Sequence, residues 1–413
     1  LYDLSFTPEQ IEFRDTVRDF VENEVKPAAL DPQRLEPFEK PLLLDALAKA
    51  SRMGLRALAL PVEAGGAGAD LLTGCLVFEE LGAGDVDLAV VLWRTMTLAD
   101  ALFNRLAAPE QRERFLAPFL EDDRYHLACA AHDPADGLGW CYHRPLAQDP
   151  DTTFHAVKQG DEWVINGSAA FVANAPLAKL FVVEARTDPE QTGARGLSAF
   201  LVPRESPGLA VGEPYKMVGE RIRWHHGSGA GIALVDCRVP AAHLLGRAGA
   251  SPLASGQEQA RALPLLAAVN LGVARAAFAA AVDYAKIRRQ GGRHIIEHPA
   301  IGAKLADCAI KLELARGAIW KAAWALDHPQ AAAQDGAVRL PLETIARVVT
   351  AEAAHEVTLA AAECFGAMGV MRDMPLQKYV HDAMVFLHSD DADGAARLAV
   401  AEAIAGYRRP VTA

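Results

Sequence analysis

An N-terminal helical domain, a middle β-domain and a C-terminal four-helix bundle form the architecture that the sequence predicts. Three observations carry it. Helical spacing dominates the first ~125 residues, short β-branched and aromatic segments follow, and long helical stripes return after Pro240. The expected boundaries are 1–125 for the helical domain, 126–242 for a β-barrel domain and 243–413 for the bundle.

In the first region Thr7 caps a helix, Pro8 suits its first position and Gln10 completes a capping box ahead of Phe13, Val17, Phe20, Val21 and Val25. Leu42 through Leu58 reads as a second helix interrupted by Gly54. The segment Gly65-Gly66-Ala67-Gly68 reads as a turn, because it lacks the lysine and hydroxyl of a phosphate-binding loop. Strands are expected at Thr153–Val157, Trp163–Val172, Leu180–Ala185, Leu197–Val202 and Ala230–Val235, with Gly160-Asp161-Glu162 turning between the first two. In the last region Ile301, Leu305, Cys308, Leu312, Ala315 and Ile319 recur in steps of four and three, which marks a buried helical stripe. Val269–Ile287, Leu342–Phe365 and Ala392–Ile404 supply the other three helices of the bundle.

Composition narrows the function. The chain has 413 residues, of which 51% are hydrophobic and 23% charged, and a formal net charge of −12. That field repels a nucleic-acid backbone, so no nucleic-acid partner is expected. Its six cysteines form no CxxC pair or other short metal-ligand spacing and read as small buried side chains, so no metal is expected. The start Leu-Tyr-Asp-Leu-Ser-Phe has no basic segment leading an apolar run, and charges are expected to break later apolar stretches before membrane length. A cytoplasmic protein without membrane insertion is the resulting expectation.

A set of local motifs keeps a recognisable order. It comprises Asp133-Pro134, Trp163-Val164-Ile165-Asn166-Gly167, Val239-Pro240 with Leu244-Leu245-Gly246, Tyr284-Ala285-Lys286, Lys304-Leu305-Ala306-Asp307 and Phe365-Gly366-Ala367-Met368-Gly369. In order and spacing the chain closely resembles the acyl-CoA dehydrogenase family over essentially its whole length, so its fold class is acyl-CoA dehydrogenase-like. The resemblance implies noncovalent FAD, an acyl-CoA substrate, removal of the α-proton by a carboxylate and transfer of the β-hydride to flavin N5. It also implies electron-transfer flavoprotein as acceptor, and a homotetramer or homodimer, with a heteromer as the alternative.

Site residues follow by register. The family's catalytic glutamate falls on Asp390, after His381-Asp382-Ala383 and before Arg397-Leu398. An aspartate at this place brings to mind the branch acting on alicyclic acyl-CoAs. Ala131 and His132, where threonine is common, approach the flavin ring, as do Phe171 and Ala173, the latter without the usual hydroxyl. Arg288 and Gln290 take the FAD phosphate side, and Gly291 replaces an aromatic residue. Glu363, in place of glutamine, Gly366 and Gly369 face the neighbouring subunit's FAD. Arg261 is a candidate for coenzyme phosphate, two positions from the family's arginine register at Leu263, and Glu258 is an alternative base. Arg94, in the run Val90–Arg94 of the acyl pocket, is a candidate for an acidic acyl terminus. Desaturation of a cyclic or branched acyl-CoA leads. The alternatives are a desulfinase or lyase acting on an acidic acyl-CoA, and a weakly catalytic subunit of a heteromer.

Overall fold

The computed structural model describes residues 5–31, 42–131, 154–191, 195–213, 225–332, 340–371, 373–388 and 394–406. The first domain contains α1 (Pro8–Phe20), α2 (Lys26–Ala29), α3 (Leu44–Arg52), α4 (Leu71–Gly84), α5 (Val86–Ala99) and α6 (Pro109–Glu121). Thr7 and Gln10 form the expected reciprocal cap at the start of α1. Gly54, at φ +83°, separates α3 from a short 3-10 turn at Leu55–Ala57, as its position between two apolar segments predicts.

The middle strands are β1 (His126–Ala130), β2 (Phe154–Gln159), β3 (Glu162–Ala173), β4 (Ala178–Arg186), β5 (Leu197–Pro203), β6 (Leu209–Val211), β7 (Gly229–Pro240) and β8 (Leu244–Leu245). They form one eight-stranded sheet in the order β6-β7-β3-β2-β4-β5-β8, with β1 parallel to β4. Pairing of β8 with β5 carries the sheet past residue 242. Alternate residues of β4 serve two cores. Phe181 and Val183 pack with Trp163, Ile165 and Phe200 within the sheet domain. Leu180 and Val182 pack with Phe103, Phe115 and Phe119 of the helical domain.

The last domain holds α7 (Gln257–Ile287), the hairpin strands β9 (Arg289–Gln290) and β10 (Arg293–His294), α8 (Pro299–Asp327), α9 (Pro329–Ala332), α10 (Leu342–Cys364), α11 (Leu376–His388) and α12 (Gly394–Ala405). The stripe from Leu305 to Ile319 is buried as its spacing predicts. The fourth bundle member differs from expectation: α11 packs on both α10 and α7, whereas α12 reaches α10. The segment before Asp390 had not been read as a helix of its own.

Helix α7 also corrects the expectation that charge interrupts every long apolar stretch. It is long and apolar enough to cross a bilayer, yet 72% of its most apolar window is buried inside the protein. It lies against α4, α8 and α10 as the central core helix. Its approach to α4 is backbone on backbone, since a Cβ at Gly82 would fall 2.1 Å from the Val269 carbonyl oxygen and one at Gly272 2.2 Å from that of Glu79. Glycine at both crossings lets two apolar helices meet without a gap.

Candidate active site

Three segments meet at the loop His225-His226-Gly227-Ser228-Gly229, which leads into β7. The end of β3 comes first. His225 packs against the Phe171 ring with centroids 4.7 Å apart, and a Cβ at Gly229 would lie 2.2 Å from that ring. Asn174 ends the strand at φ +62° and donates its backbone N–H to the Ser228 carbonyl at 2.6 Å. Its side-chain amide donates to the Val91 carbonyl at 3.1 Å, so Asn174 terminates β3 and ties it to α5.

The first turn of α5 is the second segment. Gly227 N–H donates to Asp87 Oδ1 at 2.9 Å, while buried Asp85 caps the helix by accepting from Leu88 N–H at 2.9 Å. Helix α11 is the third. His226 Nε2 lies 2.9 Å from the Asp382 carbonyl oxygen, and its ring packs on Phe386 at 4.5 Å. A carbonyl only accepts, so Nε2 carries the proton. Lys378 and Asp382, each 3% exposed, pair at 2.6 Å beneath this contact. Burial alone would lower the Lys378 ammonium, but the Asp382 and Asp85 carboxylates outweigh it and raise the group above its ordinary range.

The structure thus brings Phe171, Ala173 and the α5 run containing Arg94 to one loop with the helix that leads to Asp390. Asp390 and His132 themselves lie outside the described residues. Ala131 is exposed just past the end of β1. Reading the sequence missed His225, His226, Asp87, Lys378 and Asp382. The available signals were the His-His-Gly run and the acids flanking the start of α5.

Arg94 is half-buried, with its guanidinium carbon 5.0 Å from the Trp93 ring centre. Trp93 is itself fixed by donation from Nε1 to the Ala262 carbonyl at 2.9 Å, which ties α5 to α7. Burial pushes the nearby Cys129 thiol up to about 12; the Glu184 carboxylate adds to this and Arg94 opposes it. Cys129 is therefore a packed thiol and not a nucleophile. The described cysteines, Cys75, Cys129, Cys237, Cys308 and Cys364, are all free; Cys141 lies outside the described residues.

A buried polar contact supports the same junction. Thr95 Oγ1 lies 3.0 Å from His126 Nδ1, and burial lowers His126 to about 3. The unfolded chain takes up this proton near the ordinary value of 6.5, whereas the folded protein resists until about 3. Stability from this group is therefore complete above 6.5 and is lost as pH falls toward 3, by up to about 1.4 kcal/mol per pH unit. In His126→Gln the fall of the unfolding midpoint across that window is expected to flatten, as a pH series of thermal melts would show.

A second constellation sits where α7 and α10 end. Tyr284 stacks on Phe365 at 4.1 Å with a 12° interplanar angle, which holds the two helix ends together. Arg288 is exposed here, and among the described residues no carboxylate pairs with it. Gln290 is exposed as well, and its carbonyl oxygen lies 3.0 Å from His298 Nε2. Gly291 and Gly292, at φ +60° and +82°, make the two-residue turn of the β9–β10 hairpin, so a turn stands where the family has an aromatic residue. Glu363 pairs with Lys304, which neutralises the charge that replacing glutamine introduced. Gly366, at φ +58°, faces open space and can accept close approach. Gly369 serves packing, because a Cβ there would fall 2.3 Å from the Ala362 carbonyl oxygen.

These surfaces fit a flavin dinucleotide. The aromatic pair Phe171–His225 can cover a ring system, and Arg288 offers a directional cation for pyrophosphate. Ala173 supplies backbone groups alone.

Arg261 and Glu258 line a separate cavity of about 210 Å³, together with Met96, Asp100 and Leu265. Arg261 is bound to Asp327 at 3.0 Å, so a coenzyme phosphate would compete with that carboxylate. Glu258 accepts from Arg105 Nε at 2.9 Å, so its carboxylate is held in that ion pair.

Profiles described as acyl-CoA dehydrogenase N-terminal, middle and C-terminal domains match residues 7–123, 146–227 and 237–405. The mitochondrial short-chain specific acyl-CoA dehydrogenase of Rattus norvegicus is 32% identical over 375 residues, covering 90% of this chain and 84% of the relative. A probable acyl-CoA dehydrogenase of Bacillus subtilis is 29% identical, over 96% of this chain and 97% of its own. Among solved structures, butyryl-CoA dehydrogenase from Megasphaera elsdenii superposes with a TM-score of 0.82 at 25% identity, covering 98% of this chain and 100% of its own. A chain from a structure of the electron transferring flavoprotein of Acidaminococcus fermentans gives a TM-score of 0.82 at 28% identity, covering 98% and 99%. The expectation of a cytoplasmic location is overturned by the relatives from rat, mouse, human and cattle, whose names place them in the mitochondrion.

Proposed function

The chain belongs to the acyl-CoA dehydrogenase family, and we propose that it desaturates a short acyl-CoA thioester with Asp390 as the α-proton base. It is a flavin oxidoreductase with FAD as its cofactor, and its family's electron route runs through electron-transfer flavoprotein. When bound, FAD accepts the β-hydride of the acyl group. The observation that carries the reading is the loop at 225–229, which joins the Phe171 strand end, α5 and α11. A desaturase needs a flavin face, an acyl-binding helix and an acid held in one geometry, because proton and hydride leave neighbouring carbons almost together.

Phe171 and His225 cover the ring, Arg288 binds pyrophosphate, and Gly366 admits the neighbouring subunit's cofactor in a homodimer or homotetramer. A short acyl group agrees with the short-chain specific relatives and with Trp93 filling the space between α5 and α7. A cyclic or branched acyl group fits the shorter Asp390 side chain.

Half-buried Arg94, on α5 where the resemblance places the acyl pocket, supports a second reading, in which a sulfinate-bearing acyl group is bound and loses sulfite to water without net flavin reduction. Anaerobic mixing of the holoenzyme with butyryl-CoA, cyclohexanecarbonyl-CoA and 3-sulfinopropionyl-CoA separates the two. Bleaching of the oxidised flavin band by either of the first two is expected. Product from an acidic thioester with the band intact would replace the proposal by the lyase reading.

A further inference from the structure

We propose that His226 is a positioning residue that fixes the last turns of α11, and through them the reach of the catalytic acid. The inference rests on the assignment of Asp390 as base. One imidazole touches both neighbours of the site from the β-domain. Its Nε2–H donates to the Asp382 carbonyl at 2.9 Å, its ring packs against Phe386 four residues on at a 45° tilt, and its Nδ1 lies 3.7 Å from Asp87 Oδ1. His226 and Asp87 side chains are 6% and 4% exposed, so water does not substitute for these contacts. The next residue, Gly227, binds the same Asp87 oxygen at 2.9 Å, which anchors the imidazole's own backbone to α5.

The surrounding charges hold the helix side of the contact. Asp382 is paired with Lys378 at 2.6 Å, and His381 Nδ1 lies 3.8 Å from the other carboxylate oxygen. The turn that receives the His226 bond is therefore clamped by the ion pair below and the imidazole beside it. Helix α11 ends at His388, two residues before Asp390. An aspartate base is shorter than a glutamate by one methylene, so it has less freedom to correct a displaced helix. A displacement of roughly 1 Å can cost about a hundredfold in rate.

The test compares H226A, H226Q and H226N as holoenzymes, reading amide hydrogen exchange at residues 383–388 and flavin reduction by butyryl-CoA. Glutamine can place an N–H where Nε2 stood, whereas asparagine is too short to reach the Asp382 carbonyl. H226A is expected to exchange about tenfold faster in that stretch and to reduce its flavin roughly ten- to a hundredfold more slowly, with half-saturation and FAD content held within about threefold. H226Q is expected to recover both properties, and H226N to behave like H226A. Unchanged exchange in H226A, equal behaviour of Gln and Asn, or loss of FAD in step with rate would overturn the proposal. So would an unchanged reduction rate in H226A when Asp390→Asn is inactive, and the base assignment would then survive. An active Asp390→Asn enzyme removes the base assignment instead, leaving His226 to be decided by exchange in α11.

Discussion

Replacing Asp390 with Asn is expected to leave FAD bound and to slow thioester-driven flavin reduction by about a hundred- to ten-thousandfold, the range for loss of a positioned general base. Asparagine keeps nearly the same volume but cannot take the α-proton. Stopped-flow absorbance under anaerobic conditions reads this directly, with dithionite reduction as the control that the flavin is competent. Asp390→Glu restores the residue usual in the family yet advances the carboxylate by about 1.5 Å. If the loop at 225–229 and α11 are set for aspartate, that change is expected to cost up to about a hundredfold. Full activity in the Asn variant would remove residue 390 from the proton-transfer step.

The largest stability effect is expected at Glu80. Its two oxygens accept from Arg18 at 2.7 Å and Arg275 at 2.6 Å, and neighbouring Glu79 receives Arg316 at 2.8 Å. Two adjacent carboxylates on α4 thereby tie α1, α7 and α8 to the core. Glu80→Ala removes the carboxylate shared by both guanidinium groups, leaving Arg275 with Glu79 at 3.1 Å and Arg18 with Asp15 at 3.4 Å. Removing one partner of a buried pair typically costs about 3–5 kcal/mol. A cost below that range, about 2 kcal/mol, is expected here because the Arg18 and Arg275 side chains are 41% and 28% exposed and each keeps a second carboxylate. Glu80→Gln preserves an acceptor and is expected to lose about half as much. Denaturant unfolding followed by the signal of the helical domains would show the midpoint falling in that order.

Elements built on local periodicity were legible in the sequence. The α8 stripe, the α1 capping box and the five longer strands each announce themselves within a dozen residues, because a period of 3.6 or 2 is a property of neighbouring positions. Strand β1 was not legible. His126–Ala130 has buried neighbours on both faces and so lacks alternation, and its parallel partner lies some fifty positions away. The hub at 225–229 was hidden for the same reason. Gly227 meets Asp87 and His226 meets Asp382 across 140 and 156 residues, and histidine carries no periodic signal. Glu79 and Glu80 sit inside an otherwise apolar helix, and that pair of charges is a signal that buried partners exist without saying which arginines they are.

The candidate phosphate-side residues divide similarly. Arg288 is a phosphate candidate by its register after Tyr284-Ala285-Lys286, and it is exposed. The pairing of Glu363 with Lys304 was not legible, because the two residues lie on different helices. Arg261 is a coenzyme-phosphate candidate from its place two positions from the family's arginine register, and its pairing with Asp327 on another helix was not legible.

A structure of the FAD-loaded protein with an unreactive acyl-CoA analogue tests the central claim most directly. The account predicts the residue-390 carboxylate within about 3.5 Å of the carbon next to the thioester carbonyl, a near-attack distance, with Phe171 over the flavin and His226 still on the Asp382 carbonyl. Another acid at that carbon, or a flavin seated away from Phe171, would contradict it.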